Sequence, residues 1–279
     1  MREFLESECD LHDDGVVAAI DDVPLWSAPF GLKLLQSVRL ARNLHILDVG
    51  SGTGFPIVEL SQRLGPTCRA YGVDPWSEAV RRLRHKLRTW QIDNVVVTEA
   101  VAEALPFRSA TFDLVVSNNG TNNVENEERA FQEIARVAKP GAQLLFTCNL
   151  PATMHEFYDL FDALLAARGL SRARERMKQH VLAKRKPLDW TRAQVERVGF
   201  EIVEVSLDSF ALRFSDGSAM LRHSLIRLAF IQSWRNLLDE SDVGDVFDAL
   251  EEELNARAGR EGEISLTVPW ACFDCRKAR

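Results

Sequence analysis

Three glycines at alternate positions, Gly50, Gly52 and Gly54, follow directly on an apolar run that ends at Asp48 and Val49. Glycine loses more backbone freedom on folding than any other residue, so such a cluster needs a compensating reason. Either the turn reaches positive φ, or something approaches the main chain so closely that a Cβ would block it. One strand–helix–strand unit further on, the run "CRAYGVD" ends in a second carboxylate, Asp74. A glycine loop that opens a helix offers free N–H groups, and a carboxylate ending the next strand is placed to take both hydroxyls of a ribose. These residues point to a ribose-bearing cofactor. Asp48 stands where it either orients the glycine loop or meets a cationic amine.

The spacing narrows the choice. Dinucleotide folds use G-x-G-x-x-G, whose third glycine permits close helix–strand packing. This chain has Gly50-Ser51-Gly52-Thr53-Gly54 followed by Phe55 and Pro56, which disfavours a pyrophosphate site and a nicotinamide oxidoreductase.

The elements that must position these groups follow from hydropathy. "LHILDVG", "CRAYGVD", "NVVVTEA", "FDLVVSNN" and "AQLLFTCNL" read as strands. Between them "PIVELSQRLG", "SEAVRRLRHKLRTW" and "EERAFQEIARVA" read as helices, the last ended by Lys139-Pro140-Gly141. Strands alternating with helices of this length imply a parallel sheet with helices on both faces and right-handed crossovers. Beyond Leu150, segments 153–168, 171–185, 218–238 and 245–258 read as helices, and "GFEIVEVSLDSFALRF" and "EISLTVPWACFDC" as strands. The expected fold is α/β: a Rossmann-like, seven-stranded, mostly parallel sheet with added helical lid elements. The expected division is a helical flap over 1–43, a cofactor-binding core over 44–150, and the remaining strands with an inserted acceptor-binding lid over 151–279.

Four motifs occur in order in the core: "ILDVGSGTG", "YGVDPW", "AEALPFRSATFDLVVSN" and "ARVAKPGAQLLF". Together they resemble a class I S-adenosylmethionine-dependent methyltransferase of the broad group that includes the ubiquinone/menaquinone-biosynthesis enzymes. The resemblance implies S-adenosyl-L-methionine as cofactor and S-adenosyl-L-homocysteine as product. It implies that the backbone of Gly50, Ser51, Gly52 and Gly54, beside Asp48, holds the methionine moiety. Asp74 would take the ribose, with Pro75 or Trp76 beside the adenine. Where many relatives read Gly-Asp-Ala before "EALPF", this chain has Ala100-Val101-Ala102, and Val101 cannot accept a hydrogen bond from the adenine amine. Adenine recognition then falls to backbone near Ala102, to stacking, or to Glu103.

The resemblance implies in-line methyl transfer but leaves the acceptor open. A thiolate or carbanion needs no base, whereas a hydroxyl or ammonium does. Asn118, at the end of the fourth strand, and His155 and Tyr158, after the fifth, are the candidates nearest the chemistry. The plainer reading of His155 is a surface histidine. The plainer reading of Asn122 and Asn123 is turn chemistry. An amine-methyltransferase signature is missing after the fourth strand, which reads Asn118-Asn119-Gly120-Thr121. Trp26 and Trp234 could present aromatic faces to a sulfonium, although tryptophans at helical spacing are more often core. The basic residues Arg172, Arg174, Arg176, Lys178, Lys184, Arg185 and Lys186 suit a solvated helix face better than an anion site.

Composition excludes other classes. A formal net charge of −7 argues against general affinity for nucleic acid or anionic membrane. No apolar run is long enough to span a bilayer, and the acidic start lacks a secretory core, so a cytoplasmic setting is expected. Five scattered cysteines make no disulfide framework, and Cys272 and Cys275, three apart on a strand, should face opposite ways. No metal site is expected. The leading expectation is therefore an enzyme methylating a small molecule, with a thiol or metalloid acceptor as a variant that would use Cys148. A non-catalytic cofactor-binding protein is the reading from another class.

Overall fold

The computed structural model describes residues 3–6, 10–22 and 26–279. In chain order these form α1 (Glu3–Glu6), α2 (Asp14–Asp22), α3 (Ser27–Ser37), β1 (His45–Val49), α4 (Ile57–Leu64), β2 (Arg69–Asp74), α5 (Ser77–Thr89), β3 (Val95–Glu99), β4 (Phe112–Asn118), α6 (Glu127–Val137) and β5 (Ala138–Asn149). There follow α7 (His155–Ala167), α8 (Ser171–Lys184), α9 (Leu188–Arg197), β6 (Phe200–Phe214), α10 (Gly217–Arg222), α11 (Ser224–Ile226), α12 (Gln232–Arg235), α13 (Glu240–Glu261) and β7 (Ile264–Lys277). Cys9 lies outside the described residues, as do parts of the expected N-terminal flap.

The strands form one seven-stranded sheet in the order β3-β2-β1-β4-β5-β7-β6. The pairs β1–β2, β2–β3, β1–β4 and β4–β5 are parallel, and β7 runs antiparallel to β5. Side-chain alternation divides the core into two. Leu47, Val115, Leu144 and Phe146 pack on one face with α6 and α9. Their neighbours Ile46, Leu114, Val116 and Leu145 pack on the other with α3, α4 and α5. Near-continuous apolar runs are what strands covered on both faces require. The order reverses between β1 and β4, and in such sheets ligands bind outside the carboxyl ends of the strands at that point.

The chain divides into two compact units. The larger comprises Leu11–Leu150, Lys186–Asp208 and Trp270–Arg279, and the other Met1–Asp10, Pro151–Arg185 and Ser209–Pro269. In the second, Phe157, Phe161, Trp234, Phe247 and Leu250 form a buried core. There Trp234 stacks on Phe157 with ring centroids 3.8 Å apart.

Three elements differ from the expectation. α9 is a helix that hydropathy missed, because its buried Thr191, Gln194 and Val195 include only one strongly apolar residue. β5 starts at Ala138, so Lys139-Pro140-Gly141 lies in the strand, where Ala138 pairs with Phe112 and a register shift follows. The stretch 218–238 is not one helix. His223 takes an extended conformation and its ring accepts the Leu225 N–H, starting a new turn, and Arg227–Ile231 winds as a π-helix.

Candidate functional site

The loop after β1 is pinned from below. Gly50 and Ser51 both donate their N–H to the Val73 carbonyl, at 2.9 and 3.0 Å. All three glycines have positive φ: +78° at Gly50, +49° at Gly52 and +118° at Gly54. A Cβ on Gly54 would lie 2.6 Å from Leu83 Cδ1 of α5, so this glycine performs a close-packing task despite its shifted spacing.

Asp74 ends β2 and reaches back to the loop. Its Oδ2 accepts the Gly52 N–H at 2.8 Å, and its Oδ1 accepts the Trp76 N–H at 2.9 Å. Each oxygen keeps a lone pair. Burial raises the Asp74 pKa against the lowering effect of those two amides. Asp48 is completely buried, with no hydrogen-bond partner of ordinary geometry for either oxygen among the described residues. Burial, with the Asp74 charge second, pushes its pKa up to about 8 despite weak relief from the Ile57 amide. Desolvation of this kind favours the neutral form of the carboxyl.

A cavity of about 760 Å³ opens at the carboxyl ends of β1, β2, β3 and β4, within the larger unit. That volume suits a small organic ligand. Of the residues singled out in sequence, Gly50, Asp74, Pro75, Val101, Ala102, Glu103, Asn118 and Asn123 line it, as does Trp26. Asp48, Ser51, Gly52, Gly54 and Trp76 do not. Trp76 instead donates its indole N–H to the Leu11 carbonyl at 2.9 Å, so Pro75 alone of that pair faces the cavity. Asp48 and Ser51 lie beneath the loop, where the Ser51 hydroxyl is buried with no partner among the described residues.

At the β3 end, Glu103 clamps a loop. Its Oε1 accepts the N–H groups of Glu125 and Asn126 at 2.8 and 2.9 Å. Arg129 donates from Nε to the Glu103 carbonyl at 3.2 Å. The segment that follows is held from α6, where Arg136 donates to the carbonyls of Leu105 and Phe107 at 2.9 and 2.7 Å. The Arg136 guanidinium beside Glu133 holds that carboxyl below its usual range. Val101 lines the cavity, and its side chain presents no acceptor.

Asn118 is committed to structure. Its amide donates to the Ser27 carbonyl at 3.0 Å and its Oδ1 accepts the Thr147 hydroxyl at 3.0 Å. It thereby fixes the start of α3 against the cavity. Asn119 takes φ +59°, and its side chain accepts from Asn122 at 2.9 Å while its carbonyl accepts from Asn123 at 3.3 Å. Asn122 and Asn123 thus perform turn chemistry.

His155 and Tyr158 belong to the second unit and are absent from the cavity lining. His155 is half exposed, 3.4 Å from Glu156. Tyr158 is buried, with its hydroxyl accepting the Trp234 indole N–H at 3.2 Å, so Trp234 is core. Burial pushes the Cys148 thiol up to about 12, far from the thiolate a metal or thiol chemistry needs. Cys272 and Cys275 do face opposite ways: Cys275 belongs to the core cluster on the α6 and α9 face, whereas Cys272 meets Lys33 and Ser37 of α3.

A methyltransferase-domain family matches residues 47–146, the stretch that carries all four strand ends. The chain is 33% identical over 125 residues to a ubiquinone/menaquinone biosynthesis C-methyltransferase of Idiomarina loihiensis, covering 43% of this chain and 50% of that protein. The chain thus spans about half the length of this curated relative. To the enzyme of the same name from Salmonella arizonae it is 31% identical over 172 residues, covering 58% of this chain and 68% of that one. The chain belongs to the class I S-adenosylmethionine-dependent methyltransferases, in the ubiquinone/menaquinone-biosynthesis-like group. Among solved structures, a Haemonchus contortus phosphoethanolamine N-methyltransferase 2 complex with S-adenosyl-L-methionine has a TM-score of 0.59 at 14% identity, covering 100% of this chain and 60% of that one. At that identity it shows the fold alone.

S-adenosylmethionine is the cofactor of this family, and the cavity fits it. Gly50 and Gly120 leave no Cβ between the two loops that frame the opening, and a half-buried carboxylate with spare lone pairs faces inward from Asp74. Sequence reasoning missed Ser27, Gly120 and Arg129, which also line the cavity. Gly120 carried a legible signal, a glycine two residues past the end of the fourth strand. Arg129 carried none, being one charge in an amphipathic helix.

Proposed function

We propose that this protein catalyses methyl transfer from S-adenosylmethionine to a small-molecule acceptor. The bound cofactor supplies an electrophilic methyl group on a sulfonium, which an in-line nucleophile can take. The chain's own part is to bind, align and desolvate. In this reading Asp74 holds the ribose, the Gly50 backbone lies along the methionine moiety, and Ala102 meets the adenine through its backbone. The observation that carries the reading is the cavity at the carboxyl ends of β1 to β4, with Asp74 in its lining.

A carbon acceptor is the favoured class. The matched curated relatives are named C-methyltransferases, a carbanion-like acceptor needs no side-chain base, and among the described residues that line the cavity there is neither histidine nor cysteine. The protonated, buried Cys148 weighs against the thiol variant. The test is turnover: purified protein with S-adenosylmethionine and a panel of phenolic, enolic, thiol and amine acceptors, followed by mass spectrometry. Gain of one methyl group by a phenolic or enolic compound at carbon supports the reading. Methylation of thiols alone, or binding without turnover on any acceptor, contradicts it.

A further inference from the structure

Arg185 closes α8 and lies within a run of basic residues, yet it is buried, at 4% exposure. Among the described residues no carboxylate lies within ion-pair distance of it. Its contacts are the Thr153 carbonyl, accepting from one terminal nitrogen at 3.1 Å, and the Tyr158 hydroxyl, facing the other at 3.4 Å. The guanidinium also lies 5.0 Å from the centroid of the Tyr158 ring. Its Nε–H is buried and has no partner among the described residues. A guanidinium stays charged in any protein, so burial without an anion is costly.

Tyr158 repeats the pattern. Its oxygen receives the Trp234 indole N–H at 3.2 Å as well as Arg185. With two donors already directed at that oxygen, the hydroxyl proton needs an acceptor, and none stands among the described residues. The Arg185 Nε–H and the Tyr158 hydroxyl proton thus both lack an acceptor among the described residues, on two side chains in mutual contact, one of them a fixed cation. The surroundings add an apolar body: Phe157 stacks on Trp234, and its ring meets Tyr158 edge-on at 5.4 Å. The positive field is felt nearby, since burial and then the charges of Arg185 and Lys184 lower the His180 pKa.

We propose that Arg185 and Tyr158 form a binding site for an anionic oxygen on an aromatic or otherwise apolar small molecule, a carboxylate above all. Planar carboxylates match the donor fork of arginine, and charge-assisted hydrogen bonds of this kind are the strong ones. This anion site does not rest on the methyltransferase reading. All residues named belong to one compact unit.

Calorimetry with benzoate, benzyl alcohol and inorganic phosphate as probes tests this, with S-adenosylhomocysteine titrated into every variant in parallel. Wild type should bind benzoate saturably and benzyl alcohol at least tenfold more weakly. Arg185→Gln should lose benzoate by at least tenfold while keeping its S-adenosylhomocysteine affinity, and Arg185→Lys should retain part of the binding. Tyr158→Phe should weaken benzoate several-fold. Unchanged benzoate affinity in Arg185→Gln would overturn the proposal, as would equal affinity for benzyl alcohol. Binding of phosphate without benzoate would overturn the apolar carboxylate class. Should Arg185→Gln not fold, the wild-type comparison of the probes and the Arg185→Lys variant decide. Loss of S-adenosylhomocysteine binding by the wild type would fail the methyltransferase reading and leave the benzoate result standing on its own.

Discussion

Gly50 and Gly120 meet backbone to backbone. A Cβ on Gly50 would lie 3.0 Å from Gly120 Cα, and one on Gly120 would lie 2.6 Å from the Val49 carbonyl oxygen. The loop after β1 and the loop after β4 therefore close on each other, and the cavity takes its floor from both. Gly120→Ala should push them apart. The expected cost is about 1–3 kcal/mol of stability, as for other overpacked sites. Cofactor affinity should fall with it, which paired melting curves and calorimetric titrations would reveal. A variant with wild-type melting and wild-type affinity would show that the contact is slack.

Asp48 makes stability depend on pH. Its folded pKa, about 8, lies above the ordinary 3.8. Between those values the native state holds a proton that the unfolded chain has released, so stability falls as pH rises from about 4 to about 8 and levels off beyond. Asp48→Asn removes the titration and keeps the shape. The melting temperature of the variant relative to wild type should rise steadily from pH 5 to pH 8. Parallel curves across that range would mean that the carboxylate is ionised and stabilised in a way the geometry does not display.

How far the sequence carried this can be judged residue by residue. β1 to β5 were legible because strands covered on both faces need apolar runs, and those runs are bounded here by glycine, asparagine and proline. Asp74 was legible through its position at a strand end. The commitments of polar side chains were not. That Asn118 spends its amide on the Ser27 carbonyl depends on a contact between distant segments, and no local pattern encodes it. Arg185 was hidden for the same reason: in sequence it is one more charge in a basic run, and only tertiary packing buries it.

Glu103 should matter through the loop it holds, without touching the cofactor's reacting atoms. Glu103→Ala frees the Glu125 and Asn126 amides and removes a charge-assisted pair of hydrogen bonds. The loop is exposed, so water replaces part of the loss, and S-adenosylhomocysteine should bind several-fold more weakly, roughly 1 kcal/mol. Glu103→Gln keeps an acceptor oxygen and should recover part of the affinity. Equal affinities in all three proteins would place the clamp outside the binding event.

The buried thiols should be inert. Burial raises the pKa of Cys148 to about 12 and of Cys272 to about 11, and raises that of Cys275 as well. Cys68 is buried too. Native protein treated with iodoacetamide at pH 8 should stay unlabelled at all four positions, and denatured protein should label at each. Rapid native labelling of Cys148 would reopen the case for a thiol role.

The most direct test of the account is a calorimetric titration of the purified protein with S-adenosylmethionine, S-adenosylhomocysteine and NADH, with Asp74→Ala as the comparison. The expected result is saturable binding of the first two, none of NADH, and at least a tenfold loss in the variant. Binding of NADH alone, or cofactor affinity untouched by removal of the Asp74 carboxylate, would contradict the site described above.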